Sequence, residues 1–139
     1  MIAYIDSSVM LRVLLNQKGR LKEIKQVDRP ISSILLRIEC LRTLDRLKVT
    51  GHLKEAAFVK TTQEFFEVCA TFEFVRLTPS VLSRAGSSMA VPLGTLDAIH
   101  LSSAVIWAEN FERRPIFLTH DNMLGKAAIV NGFSVLGCD

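Results

Sequence analysis

Short apolar runs and longer helical stripes alternate along this chain, separated by turn-forming residues. IAYI (2–5) reads as a strand closed by Asp6-Ser7-Ser8, and SVMLRVLL (8–15) as the helix that follows. GRLKEIKQV (19–27) predicts a charged surface helix. PISS (30–33) predicts a brief strand running into the strongest helical pattern, ILLRIECLRTLDRLKV (34–49). There Leu35, Ile38, Leu41, Leu44, Leu47 and Lys48 recur at spacings of three and four, with Ser32 or Ser33 as the expected cap. A second long helix is expected from about residue 52 to 70, folding back on the first near Gly51. Its apolar side would carry Leu53, Ala56, Ala57, Phe65, Phe66 and Cys69.

FEFVRL (72–77) then predicts a strand, and Pro79 opens a helix reaching about Met89. VPLG (91–94) links to a long apolar helix, Thr95 to about Phe111, with Thr95 as its expected N-cap. PIFLT (115–119) is the next strand, Asp121–Val130 a helix ended by Gly132, and FSVLG (133–137) the last strand. Strands with helices between them require crossovers. The expected fold is therefore α/β: a mostly parallel sheet of about five strands with helices on both faces. Neither a repeat nor a long linker divides the chain, so residues 1–139 are expected to form one domain. Sheets of this kind bind ligands beyond the carboxyl ends of their strands.

Composition narrows the class. Apolar residues make up 49% of the chain, which argues against disorder. No apolar run approaches the roughly 20 residues needed to span a bilayer, so no membrane partner is expected. MIAYIDSS lacks the basic leader of a signal peptide. Cys40, Cys69 and Cys138 have no metal-ligand spacing, and the expectation is a reduced, cytoplasmic protein without zinc. The net charge of +3 is unevenly spread. Residues 1–60 hold twelve Lys/Arg against six Asp/Glu, and residues 61–139 hold five against eight. A basic first half suits a polyanion or an acidic protein segment.

The acids carry the chemistry. In LGTLDAIHLSSA (94–105), helical steps from Asp97 lead to Leu101, Ala104, Val105 and Ala108, so a carboxylate shares a stripe with core side chains. Such a charge is costly unless something pairs with it. Asp6 and Asp121 each stand between a predicted strand and a helix. Helix capping accounts for any one of these three aspartates alone. Glu39, three residues before Arg42, reads alone as half of a surface ion pair. Taken together, the four acids can converge at one sheet end, where like charges repel unless a cation neutralises them. All are hard oxygen donors, which favours Mg²⁺ or Mn²⁺, and the matching chemistry is phosphodiester hydrolysis by metal-activated water. His100, three residues after Asp97, and His120, before Asp121, lie within reach of such a site, though packing or solvation is the simpler account of both. Haloacid-dehalogenase-like chemistry would need a second aspartate where Ser8 stands, and the Gly-rich lysine motif of a P-loop is absent.

In this order and with these flanks, YIDSSVML, SSILLRIECLRTL, LGTLDAIHLSSA and FLTHDNMLGKAAIVNGFSVLG resemble the PIN-domain nucleases, above all the VapC-like toxins of toxin–antitoxin modules. The resemblance spans essentially the whole chain. It implies a three-layer α/β/α sandwich and a Mg²⁺- or Mn²⁺-dependent endoribonuclease in which Asp6, Glu39 and Asp97 bind the metal and Asp121 completes the acidic pocket. Ser8 and Thr119 would be hydroxyls that orient the carboxylates. It also implies RNA (tRNA, rRNA or another structured RNA) as substrate, a neutralising antitoxin and a homodimer. Arg12, Lys18, Arg20, Arg37 and Arg42 would hold RNA phosphates or pair with the antitoxin. Ser102-Ser103 stands where alanines are common in the family. Two alternatives use the same residues: a non-toxin nuclease of RNA processing, and a non-enzymatic protein whose acidic pocket binds a basic peptide.

Overall fold

Alternation within the strands sorts the core into two layers. The computed structural model describes residues 1–139. Its strands β1 (Ile2–Ile5), β2 (Arg29–Ser33), β3 (Glu73–Val75), β4 (Ile116–Leu118) and β5 (Val135–Leu136) form one sheet in the order β3-β2-β1-β4-β5, every pair parallel. Tyr4 lies opposite Ile31 on β2 and Phe117 on β4. These three point to the face covered by α5 (Thr95–Phe111) and α6 (Asn122–Val130), where Leu101, Ala104, Val105, Leu124 and Ala128 meet them. Ala3, Ile5 and Leu118 point the other way, towards α1 (Ser7–Leu14). Outside that layer α2 (Leu35–Val49) and α3 (Glu55–Cys69) bury Leu36, Cys40, Phe65 and Cys69 against Met10. A short helix, α4 (Pro79–Ala85), packs on α5. The result is the expected three-layer α/β/α arrangement with five parallel strands. No helix is long and apolar enough to cross a membrane.

From β1 the chain moves outward to β2 and β3, then returns to the other side of β1 for β4 and β5. The crevice beyond the carboxyl ends of β1 and β4 is therefore the topological switch point, where open α/β sheets bind ligands. Asp6 follows β1 there, and Thr119, His120 and Asp121 follow β4.

Several local expectations are corrected. The helix expected over 19–27 is a short 3-10 segment, Lys22–Gln26, bounded by extended Leu21 and Val27, and Gly19, at φ +77°, lies in the turn before it. The helix expected to reach Met89 stops at Ala85, before Gly86. Gly94, not Thr95, is the N-cap of α5. α2 starts from Ile34 rather than from a serine cap, although the Ser33 hydroxyl accepts the Leu35 N–H at 3.2 Å. The inward face of α2 is Leu36-Cys40-Leu44, and Ile38 is 57% exposed because three- and four-residue spacing fits two adjacent stripes. On α3, Ala56, Ala57 and Phe66 likewise lie outside, whereas Phe65 and Cys69 are buried.

Candidate active site

Asp6 is the fixed point of the site. Its residue ends β1 with extended backbone, its N–H donates to Leu118 O at 3.0 Å, and its side chain is almost wholly buried. It makes no side-chain cap to α1, so capping does not explain it. Instead Asp6 Oδ2 accepts the Ser8 hydroxyl at 2.6 Å and the Thr119 hydroxyl at 3.0 Å. Both hydroxyls also accept a backbone N–H from the β4 loop: Ser8 takes that of His120 at 3.0 Å and Thr119 that of Asp121 at 3.0 Å. Two small side chains thus fasten the Asp6 carboxylate to the next strand's exit. Gly137 closes this corner. With φ +104°, it passes so near Thr119 O that a Cβ would come within 2.4 Å.

Asp121 does act as a cap: its Oδ1 accepts the Leu124 N–H at 2.8 Å and holds the start of α6. Asp97 lies half-buried in the first turn of α5 with no cap bond. Burial raises its carboxyl to about 6, the charges of Asp121, Asp6 and Glu39 adding to the rise and His100 opposing it. Asp97 therefore feels the other three acids as well as its own burial.

Glu39 does not pair with Arg42, as its spacing alone suggested. Arg42 instead meets Asp45 at 3.1 Å, one turn along the exposed face of α2. Glu39 turns inward, with Oε1 2.5 Å from His100 Nε2 and Oε2 accepting the Ser7 hydroxyl at 3.3 Å. His100, fully buried, also stands 3.8 Å from Asp6 Oδ1. On its other side the Tyr4 hydroxyl lies 2.9 Å from Nδ1 and accepts the Ser33 N–H at 3.0 Å. Burial raises the Tyr4 phenol well above its usual range, so it stays protonated and can donate to Nδ1, leaving the proton of His100 on Nε2. Burial opposes a charge on His100, but the Glu39 hydrogen bond and the charges of Asp6, Glu39 and Asp97 outweigh it and raise its pKa.

Tyr4 and Ser7 are site residues that sequence reasoning passed over, and His100, within reach of the site by its spacing from Asp97, reads from the sequence as more simply packed or solvated. A signal existed: a histidine on the buried stripe of an apolar helix needs a partner for each ring nitrogen. Of the basic candidates, Arg12 lines a cleft with His120, Asn122 and Asp139. Lys18 and Arg20 are exposed on the following loop, where Arg20 bonds Gln17 O, and Arg37 is exposed on α2. The largest cavity, about 860 Å³, lies between α4, α5 and α6 and contains none of the acids.

No three acid, histidine or cysteine side chains enclose a common point in the metal-free protein. The donor chemistry nevertheless fits a hard divalent cation. All four are carboxylates, hard oxygen donors that follow β1 and β4 or stand at the starts of the neighbouring helices, and Asp121 keeps one oxygen free of its cap bond.

The PIN domain family model matches residues 3–130. No curated protein matches the sequence significantly. Among solved structures, the chain is similar to PAE2754 from Pyrobaculum aerophilum, with TM-score 0.63 and 16% identity over 97% of this chain and 83% of that one. It is also similar to a toxin–antitoxin complex from Klebsiella pneumoniae, with TM-score 0.62 and 13% identity over 96% of this chain and 95% of that one. At these identities the likeness concerns the fold.

Proposed function

This chain belongs to the PIN domain family, whose members are generally nucleases, and on that premise we propose that it is a Mg²⁺- or Mn²⁺-dependent endoribonuclease and the toxin of a toxin–antitoxin pair. The observation that carries the catalytic reading is the buried Asp6, fastened by Ser8 and Thr119 at the switch point, with His100 Nε2 standing 3.8 Å from its free oxygen and 2.5 Å from Glu39. In this reading Asp6, Glu39, Asp97 and Asp121 hold the cation. When bound, it would offset the acids' charge and that of the phosphate, and lower the pKa of a water molecule.

The chain's own residues do the positioning. Ser8 and Thr119 donate to one oxygen of Asp6 and so orient its other oxygen towards the crevice. Asp121, committed through Oδ1 to the first turn of α6, keeps its second oxygen for water or cation. Arg12, beside His120 and Asn122, is placed to meet a backbone phosphate next to the scissile one, which makes binding salt-dependent. Lys18, Arg20 and Arg37 extend that basic surface.

The toxin reading, with an antitoxin as partner, is supported by the likeness to the Klebsiella toxin–antitoxin complex. Exposed Met123, Ile129 and Val130 on α6 offer apolar surface that a homodimer would cover. One experiment tests the enzyme. Purified protein is incubated with total RNA in Mg²⁺, in Mn²⁺ and in EDTA, beside Asp6→Ala. Cleavage that stops in EDTA and in the variant is expected. Cleavage indifferent to either overturns the reading. Growth arrest on expression, relieved by Asp6→Ala, tests the toxin role, and harmless expression of an active nuclease would remove it.

A further inference from the structure

Glu39 is the only one of the four acids whose carboxylate is held by a side chain from α5. The holder is a histidine with no exposed surface, so His100 cannot serve as a solvent-facing acid or base without the site opening. Its ring is fixed from behind. Tyr4 on β1 meets Nδ1, and the Tyr4 hydroxyl is itself anchored by the Ser33 N–H at the end of β2. The chain Ser33–Tyr4–His100–Glu39 therefore joins two strands and two helices through successive contacts of 3.0, 2.9 and 2.5 Å. Tyr4 is also locked sideways, stacked on Phe117 with ring centroids 5.0 Å apart and edge-on to His100 at 6.0 Å.

Such an arrangement has a direct consequence for Glu39. A glutamate has three rotatable side-chain bonds, and on the rim of α2, with only Ser7 as a second contact, its carboxylate would sample many positions. One rigid donor removes most of that freedom before a ligand arrives, and outer hydrogen-bond partners of this kind are worth 10- to 100-fold in metal affinity. We propose that His100, braced by Tyr4, is a positioning residue that presents Glu39 to the divalent cation without itself ligating it. The inference rests on the nuclease reading for the presence of a cation, but its test does not need RNA.

Mn²⁺ binding to the purified protein is followed by electron paramagnetic resonance, alongside the Mn²⁺ dependence of RNA cleavage. His100→Ala is expected to weaken Mn²⁺ binding about 10- to 100-fold. The Mn²⁺ concentration needed for half-maximal cleavage should rise by the same factor. His100→Gln, which keeps an N–H donor at the end of the side chain, should recover part of the affinity. Tyr4→Phe, which removes only the brace, should weaken binding by less than His100→Ala. Circular dichroism checks that each variant is folded, and if His100→Ala is not, His100→Gln and Tyr4→Phe decide the matter.

Unchanged Mn²⁺ affinity in the folded variants overturns the proposal. So does nitrogen coupling in the spin-echo spectrum of bound Mn²⁺ that is present in wild type and lost in His100→Gln, which would make His100 a ligand. A wild-type protein that binds no Mn²⁺ overturns both this inference and the metal reading. One that binds Mn²⁺ but cuts no RNA overturns the nuclease reading alone, and the affinity ratios still judge His100.

Discussion

Beyond the ends of β1 and β4, polar side chains are buried and hydrogen-bonded to one another: Asp6 to Ser8 and Thr119, His100 to Tyr4 and Glu39. On the α2–α3 hairpin the balance is reversed. Ile38, Val49, Val59 and Phe66 are apolar and exposed, while a few residues, Phe65 foremost, hold the hairpin to the sheet. A polar group is buried only at a cost, and four acids in one crevice add repulsion. A fold keeps such an arrangement where chemistry requires it, whereas exposed apolar side chains on a helix hairpin cost little and are free to differ between relatives. On the proposed reading the crevice gathers charge at the expense of stability, whereas the cluster around Phe65 serves stability alone, and α2 takes part in both through Glu39 on one side and Leu36 and Cys40 on the other.

Substitution should separate the two regions. The largest effect is expected from Asp6→Asn, which keeps the shape but removes the central charge. RNA cleavage should fall by about 100- to 1,000-fold, while the melting temperature of the metal-free protein holds or rises, since a buried charge facing other acids has been removed. A variant that cleaves normally would place the chemistry elsewhere. In the hairpin, Phe65→Ala should do the reverse. Phe65 has no exposed surface and packs among Met10, Leu36, Cys40 and Cys69, so the loss should be about 3–5 kcal/mol in denaturant unfolding. Activity per folded molecule should hold. Its neighbour Phe66, 46% exposed, should tolerate serine within about 0.5 kcal/mol.

A smaller effect tests how the crevice is held together. Thr119→Val preserves volume but removes the hydroxyl that links Asp6 to the Asp121 N–H. Cleavage should drop about 10- to 100-fold, mainly through weaker metal binding, and stability by about 1–3 kcal/mol because the Asp121 N–H loses its partner. If excess Mn²⁺ fails to restore activity, Thr119 does more than orient a carboxylate.

The contrast also governs what could be read from the chain. Strand and helix order was legible because burial imposes a period on the sequence, and the acids stood out because Asp97 interrupts that period. Their places at strand ends and helix starts suggested a common end of the sheet, and the PIN resemblance added their roles. Local signals failed where two readings share one pattern. Spacings of three and four fit Ile38 as well as Cys40, and only packing against Phe65 selects the inward stripe. Glu39 had a credible partner in Arg42 three residues away. Its actual partner, His100, is 61 residues away, and no helical spacing can reveal a bond between α2 and α5. His100 itself passed as a packed histidine because half of its explanation, Tyr4, lies on β1.

The smallest expected effect concerns Asp97, where the two demands meet in one residue. Its carboxyl ordinarily titrates at 3.8 and in the fold at about 6, so the folded protein holds this proton more tightly than the unfolded chain does. Protonation therefore favours the fold, and that advantage is lost as pH rises from about 4 to about 6. Above pH 6 the full penalty of the ionised group remains. Asp97 is half-exposed, which screens the interaction, and the cost should stay below about 1 kcal/mol. Thermal unfolding in EDTA should then find Asp97→Asn more stable than wild type at pH 7, with the difference shrinking towards pH 4. Adding Mn²⁺ should raise the wild-type melting temperature more than the variant's, because only the wild type regains from the cation what its fourth carboxylate costs. Equal responses to Mn²⁺ would remove Asp97 from the metal's partners and leave it a polar residue at a helix start.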